Sequence, residues 1–292
     1  METLSTVADL REAIRTLRPY LKRIGFVPTM GYLHAGHEAL IRQAREECDL
    51  VVVSIFVNPT QFSPSEDLEK YPRDLARDQG VCQRAGADLI FHPDPLEVYP
   101  RGHDTWVDVT ELGEVACGKF RPGHFRGVCT VCAKLFNIVR PDRIYLGEKD
   151  YQQLQILRRM VRDLFMPYTL VSVPTMREPD GVAMSSRNAY LSPTERQAAR
   201  VVPRALQLAR EMVEHGEQET APILTAIEAS VTQQPLTQFQ YAIIVDPDTL
   251  EPMRVLTHEA RLLLSIYVGK TRLIDNTALT PKAPPPPVNL PE

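Results

Sequence analysis

The residues best suited to chemistry open near the N-terminus, in "PTMGYLHAGHEAL" at 28–40. His34 and His37 stand three apart, with glycines at 31 and 36, directly after the apolar run "RIGFVPT". Glycine lets a backbone approach a bulky ligand closely, and a helix start offers free N–H groups and a positive dipole end. Imidazoles placed there donate hydrogen bonds to phosphate oxygens, most usefully when negative charge grows on phosphorus during a displacement. On this pair alone, phosphate chemistry stands level with a surface or metal-binding role.

Two further stretches carry the same kind of groups. In "YLGEKDYQQLQIL" (145–157) Gly147 permits close approach, Lys149 supplies a cation for phosphates and Asp150 an acceptor for ribose hydroxyls. Gln153 shares a helix face with Lys149 and Asp150. In "MREPDGVAMSSRNAYLS" (176–192) a turn at Asp180-Gly181 precedes Ser185, Ser186 and Arg187, a compact set of anion-binding groups. Each stretch by itself also reads as an ordinary capped helix or turn. Between them, "SIFVNPTQFSPSEDLEKYPRD" (54–74) offers Asn58 and Gln61, neutral amides that suit a hydroxylated carboxylate better than another phosphate.

Other motifs are excluded. No G-x-G-x-x-G follows a strand, which disfavours a nicotinamide dinucleotide, and "GKT" at 269–271 has Leu264 where a phosphate-binding loop needs glycine. Cys129-x-x-Cys132 lies in "GVCTVCAKLFNIV", a largely apolar helical stretch without two further soft ligands, so core packing outweighs zinc or redox chemistry.

These residues need elements to position them. Helical spacing at 5–18, with Ser5 as a cap, precedes a strand at 23–29, a helix at 37–47 and the apolar run "DLVVVSIFVN". A strand, a helix and a strand apolar on both faces make a parallel βαβ unit. The alternation continues with a helix at 73–86, strand "ADLIFHP", helix 127–139, strand "RIYLG", helix 150–164 and strand "YTLVSVPT". This predicts an α/β fold, a Rossmann-like doubly wound parallel sheet over residues 1–175, with ligands at the carboxyl ends of its strands. Helical stretches at 193–214 and 221–232, then "QYAIIVD" and "ARLLLSIYV", predict a smaller α+β domain over 176–280 that closes over the site. Residues 281–292 are proline-rich and read as an extended, disordered tail.

The bulk composition bounds the partners. The chain has 292 residues, 43% of them hydrophobic and 24% charged, which is enough for a real core. Its net charge of -4, spread along the chain, advertises neither a nucleic-acid nor a membrane partner, and the longest apolar run is too short to span a bilayer. No leader segment is visible, and five scattered cysteines make no disulfide framework, so a cytoplasmic protein is expected.

Taken in order, "PTMGYLHAGH", "SIFVNPTQF", "RPGHFRGV", "GEKDYQQL" and "DGVAMSSRNAYLS" closely resemble the pantothenate synthetase (pantoate–β-alanine ligase) family, over about residues 1–278. The resemblance also places the chain in the wider nucleotidyltransferase superfamily that carries an H-x-G-H element. It implies a ligase that activates (R)-pantoate with ATP as a pantoyl adenylate, releases pyrophosphate, and passes the acyl group to β-alanine to give pantothenate and AMP. By resemblance Met30, Gly31, Tyr32, Leu33, His34, Ala35, Gly36 and His37 line the ATP site, with His37 at the family's proton-donor position. Gly147, Glu148, Lys149 and Asp150 continue that site, and Met176, Met184, Ser185, Ser186 and Arg187 complete it, with Lys149 and Arg187 meeting phosphates. His34, His37, Lys149 and Arg187 are the catalytic set. Gln61, Gln153 and Asn58 hold pantoate, Gln61 also serves β-alanine, and His124 is a further neighbour. Mg²⁺ is implied on the ATP phosphates, with Asp78 as its protein partner, and the family implies a cytoplasmic homodimer. Thr60 stands where relatives often have methionine. Two rivals are a sister nucleotidyltransferase acting on a phosphorylated acceptor, which would need a basic pocket, and a silent ATP-binding module, which would have lost a donor.

Overall fold

A computed structural model describes residues 1–64 and 66–282; the segment expected as a proline-rich tail lies outside them from 283 onward. The chain divides into two compact units, Met1–Tyr190 and the remainder from Leu191. Segment 176–190, expected with the smaller domain, belongs to the first unit. Ser186 donates from Oγ to the carbonyl of Tyr32, Arg187 pairs with Asp67, and Tyr190 donates to the carbonyl of Lys70.

The first unit is a six-stranded parallel sheet. Its strands are β1 (Glu2–Leu4), β2 (Ile24–Thr29), β3 (Leu50–Ile55), β4 (Leu89–Phe91), β5 (Arg143–Gly147) and β6 (Thr169–Val173), arranged β1-β4-β3-β2-β5-β6. The helices are α1 (Val7–Leu17), α2 (Ala35–Glu47), α3 (Leu75–Ala85), three single turns α4 (Pro95–Val98), α5 (Thr110–Gly113) and α6 (Cys117–Phe120), then α7 (His124–Val139) and α8 (Tyr151–Asp163). α2 and α3 cover one face of the sheet, whereas α1, α7 and α8 pack together on the other.

Strand alternation sorts the core between those faces. Val27, Val53 and Ile90 pack with Ile41 and Ala44 of α2 and Val81 of α3. Phe26, one residue from Val27, meets the Phe136 ring edge-on at 6.3 Å on the opposite side. Strands buried on both faces read as unbroken apolar runs, which is why β2 and β3 were legible. Strand order reverses between the parallel neighbours β2 and β5: one half winds outward from β2 through β3 to β4, the other from β5 to β6. Open parallel sheets bind ligands in the crevice at this switch point.

Several expectations shift. The cap of α1 is Thr6 rather than Ser5, its side chain accepting from the backbone of Asp9 at 3.1 Å. α7 begins at His124, directly after Gly123 in a left-handed conformation (φ 77°) that turns the chain into the helix. The second unit is α+β as expected, with α9 (Pro193–Ala198), α10 (Val201–Glu214) and α11 (Thr220–Thr232). The expected single helix over 193–214 is two, because Pro203 lacks the N–H an uninterrupted helix would donate and sits in the first turn of α10, where no such bond is needed. Its antiparallel sheet, β7 (Thr237–Val245), β8 (Ala260–Val268) and β9 (Thr271–Leu279), includes a strand the sequence hid. β9, "TRLIDNTAL", carries buried Asp275 and Asn276 among its apolar residues, so its pattern does not alternate cleanly.

Candidate active site

The H-x-G-H element answers a local problem before a chemical one. His34 is the N-cap of α2, and its Nδ1 accepts from the backbone N–H of Gly36 at 3.1 Å. His37, at the third helical position, reaches back so that its Nδ1 accepts from the backbone N–H of His34 at 3.3 Å. This is a capping box made of imidazoles instead of hydroxyl and carboxylate. Gly36 must be glycine for it: a Cβ there would lie 2.9 Å from the His34 ring.

The geometry fixes the tautomers. With each Nδ1 accepting from a peptide N–H, the proton of each neutral ring resides on Nε2. The two rings lie 4.1 Å apart. Burial, then the Lys149 cation, hold His34 down to about 4. Burial, with His34 and Lys149 adding, lowers His37 well below the ordinary imidazole range. Two neutral Nε2–H donors therefore stand side by side at a helix N-terminus, arranged for an anion.

Asp78 has a different task from the one expected. It is buried, 1% exposed, and is absent from the lining of the crevice. Its two carboxylate oxygens accept from the backbone of Tyr32 at 2.8 Å and Leu33 at 2.6 Å. Gly31 and Tyr32 both have positive φ, 85° and 51°, so the loop between β2 and α2 is tightly wound and needs this anchor. Burial raises the Asp78 carboxyl while the two N–H bonds oppose the rise. Both carboxylate oxygens are thus engaged by the loop backbone.

A cavity of about 230 Å³ opens at the carboxyl ends of β2 and β5. From the first stretch Met30, His34, Gly36 and His37 line it; Gly31, Tyr32, Leu33 and Ala35 shape the loop without lining it. Gly147 at the end of β5, Lys149 and Asp150 in the turn that follows, and Gln153 of α8 line it, whereas Glu148 does not. Met176, Met184, Ser185, Ser186 and Arg187 line a third side. Lys149 Nζ lies 3.6 Å from the carboxylate of Asp150. Arg187 is held by both oxygens of Asp67 at 3.1 Å, so its charge is partnered in this structure.

The amide side joins them. Asn58, Gln61 and His124 line the same cavity, all three buried. Gln153 faces the cavity, whereas its neighbour Gln152 turns inward to bond Cys117, Leu112 and Val115. The wall behind is Val128, Val131, Cys132 and Leu135, one apolar stripe of α7 at helical spacing. Cys129 and Cys132 are buried, as read from the sequence, and burial pushes the Cys129 thiol up to about 12. Among the described residues no group of three His, Cys, Asp or Glu side chains is placed to hold a metal.

Tyr71 and Arg121 are among the lining residues that the sequence reading did not single out. Arg121 donates to Glu66 at 2.9 Å and faces His124 Nε2 at 3.0 Å. It sits within the quoted "RPGHFRGV", but nothing local marks it off from the many surface arginines; its ion pair with Glu66 exists only in the folded chain. That pair also offsets the Arg121 cation beside Gln61 and His124.

Fold and site together define a doubly wound α/β enzyme with imidazole, ammonium and guanidinium groups at the switch point and neutral amides beside them. Comparison with known proteins narrows this. The chain matches the model of the pantoate-beta-alanine ligase family over residues 2–278. It is 50% identical over 279 residues to a pantothenate synthetase of Moorella thermoacetica, covering 96% of this chain and 99% of that one. It is 55% identical over 255 residues to that of Heliobacterium modesticaldum, covering 87% and 91%. A crystal structure of pantothenate synthetase from Thermus thermophilus superposes with a TM-score of 0.91 at 49% identity, over 96% of this chain and all of that one. One of a Francisella tularensis pantoate-beta-alanine ligase, complexed with a β,γ-ATP compound and β-alanine, superposes with 0.78 at 34% identity over 95% and 97%. The chain belongs to the pantoate–β-alanine ligase family and is a ligase.

Proposed function

We propose that the ATP-dependent joining of pantoate to β-alanine proceeds in this chain through a pantoyl adenylate formed in the crevice between β2 and β5. The observation that carries the reading is the juxtaposition of His34, His37 and Lys149 with Asn58, Gln61 and Gln153 around one cavity. A carboxylate is a poor electrophile and must be activated. The pantoate carboxylate attacks the α-phosphorus of ATP and the bond to pyrophosphate breaks. The neutral amine of β-alanine then attacks the acyl carbon, AMP leaves with the bonding electron pair, and the amine proton is released. No covalent enzyme nucleophile is required; alignment and stabilisation of phosphate charge suffice.

His34 and His37 donate from Nε2 to phosphate oxygens, and Lys149 neutralises the developing charge. Arg187 joins them when a phosphate competes with Asp67 for its guanidinium. The amides take pantoate, with its methyl groups against the Val128–Leu135 side of α7, and Gln61 also serves β-alanine. Mg²⁺ fits a site with one lining carboxylate, Asp150, because it is commonly held by phosphates, water and one or two carboxylates; bound there it would neutralise phosphate charge. Homodimeric assembly and a cytoplasmic location belong to the same proposal. The five buried thiols accord with a reducing compartment, and no helix among the described residues is long and apolar enough to cross a membrane.

The test is ATP–pyrophosphate exchange. Exchange should require pantoate and Mg²⁺ and proceed without β-alanine. Folded protein that gives no exchange with both present would overturn the adenylate route.

A further inference from the structure

An amide can meet a carboxylate in two ways, and only one attracts. Gln61 must turn its NH₂ group, not its oxygen, toward an acid in the cavity. Gln61 cannot set that choice alone, since rotation about its last bond exchanges the two ends at little cost.

The choice is made by Asn58. Its Oδ1 accepts from the backbone N–H of Thr60 at 3.4 Å, from Thr60 Oγ1 at 3.0 Å and from Tyr99 Oη at 2.9 Å. Its Nδ2 donates to the carbonyl of Gly127 at 3.1 Å and to Gln61 Oε1 at 3.1 Å. A peptide N–H only donates and a peptide carbonyl only accepts, so Asn58 cannot turn over without facing like against like at both. With Nδ2 fixed, Gln61 Oε1 must face it. Gln61 Nε2 is left toward the cavity, where Met30 Sδ stands at 3.0 Å. A thioether is a weak acceptor that a carboxylate oxygen displaces readily.

The backbone of Gln61 is polarised from its other side. Arg121 only donates, so His124 Nε2 accepts from it and His124 Nδ1 carries the proton, which it gives to the carbonyl of Gln61 at 2.8 Å. Glu66 holds Arg121 in place. Gln61 is thus gripped at its amide oxygen and its backbone carbonyl.

We propose that Tyr99 is a positioning residue which steadies Asn58, oriented by the Thr60 N–H and the Gly127 carbonyl, and so helps hold Gln61 as a hydrogen-bond donor to the carboxylate of the acid substrate. Tyr99 lies outside the cavity lining and bonds Asn58, which lines it. The acid's identity as pantoate rests on the function proposed above.

The test uses Asn58→Asp and Tyr99→Phe in the full chain. A carboxylate at 58 can only accept, so Gln61 turns its NH₂ inward and its oxygen to the cavity. In Asn58→Asp the pantoate concentration for half-maximal exchange should rise roughly 10- to 100-fold, the range for one hydrogen bond to a charged group. ATP affinity measured without pantoate should stay within about twofold. The amide of pantoate, tested as a competitive inhibitor, should gain on pantoate by about tenfold, because its NH₂ now meets an acceptor. Tyr99→Phe should raise the pantoate KM about threefold to tenfold and change kcat less. A structural defect would lower ATP and pantoate binding together and leave the acid-to-amide preference unchanged; either result overturns the proposal. Should Asn58→Asp fail to fold, as judged by its thermal transition, the KM-against-kcat split in Tyr99→Phe decides. Wild-type protein without exchange would overturn the proposed function itself, and this inference with it, whereas wild-type exchange with unmoved variants overturns the relay alone.

Discussion

At the imidazole end of the crevice, His34 and His37 are held by the backbone N–H groups of Gly36 and His34, within one turn of chain. At the amide end, Asn58 is held by Tyr99, 41 residues away, and by Gly127, 69 residues away, while His124 reaches Gln61 across 63. The first end is assembled by helix initiation; the second exists only once α7 has docked against the turn at 59–61 that follows β3. Each solution suits the ligand proposed for it. Phosphate oxygens accept from any donor aimed at them, so a local cap with outward Nε2–H groups suffices. An acid carrying both carboxylate and hydroxyl must be read by polarity, and a lone amide has no polarity until its neighbours impose one.

The sharpest challenge to this contrast is Lys149→Ala. It should cost about 2–4 kcal/mol of transition-state stabilisation, read as kcat/KM for ATP, by analogy with other preorganised donors. Turnover near that of the wild type would remove Lys149 from its assigned role. The same change should let His34 and His37 protonate more easily, since the lysine cation contributes to their depression.

Acid should attack the imidazole end next. His34 is held to about 4 when folded, against 6.5 for the unperturbed group. The unfolded chain therefore binds more protons between those values, and stability falls as pH drops from about 6.5 toward 4. The full loss is on the order of 3 kcal/mol. Asparagine caps helices well, so His34→Asn should keep the fold at pH 7 and flatten the acid limb of Tm against pH. An unchanged limb would place the sensitivity at the other burial-lowered imidazoles, His37 and His124.

The amide end should answer to different changes. Gln61→Ala should mainly damage the use of pantoate, by roughly 10-fold to 100-fold in its KM. An effect confined to ATP affinity would contradict the division of the crevice. Gly127→Ala is a remote test of the same end, because a Cβ there would lie 2.4 Å from the carbonyl of Thr60. The chain must shift, at about 1–3 kcal/mol of stability in chemical denaturation, and pantoate KM should rise while ATP binding does not.

The legible parts of this molecule share a cause. β2, β3 and β5 announced themselves as apolar runs, and the histidines, Lys149 and the Ser185–Ser186–Arg187 turn fell at junctions where helix starts are exposed. Asp78 misled because a carboxylate near a phosphate site suggests a metal, whereas its partners, Tyr32 N–H and Leu33 N–H, lie 46 and 45 residues away. Arg121 was overlooked for the same reason, its meaning residing in Glu66, 55 residues away. β9 was missed because polar residues buried within it break the alternation that marks a strand.

What the chain's order of residues determined alone is whatever closes within a turn or repeats along an element: the cleanly patterned strands and helices, the imidazole cap, and the groups offered at each strand end. Spacing carries these because their hydrogen bonds run between near neighbours. Tertiary structure decided which way each amide faces, which acid neutralises which arginine, and that Asp78 ties a loop. Those outcomes depend on which donors and acceptors meet across the fold, and distance along a chain does not encode distance in space.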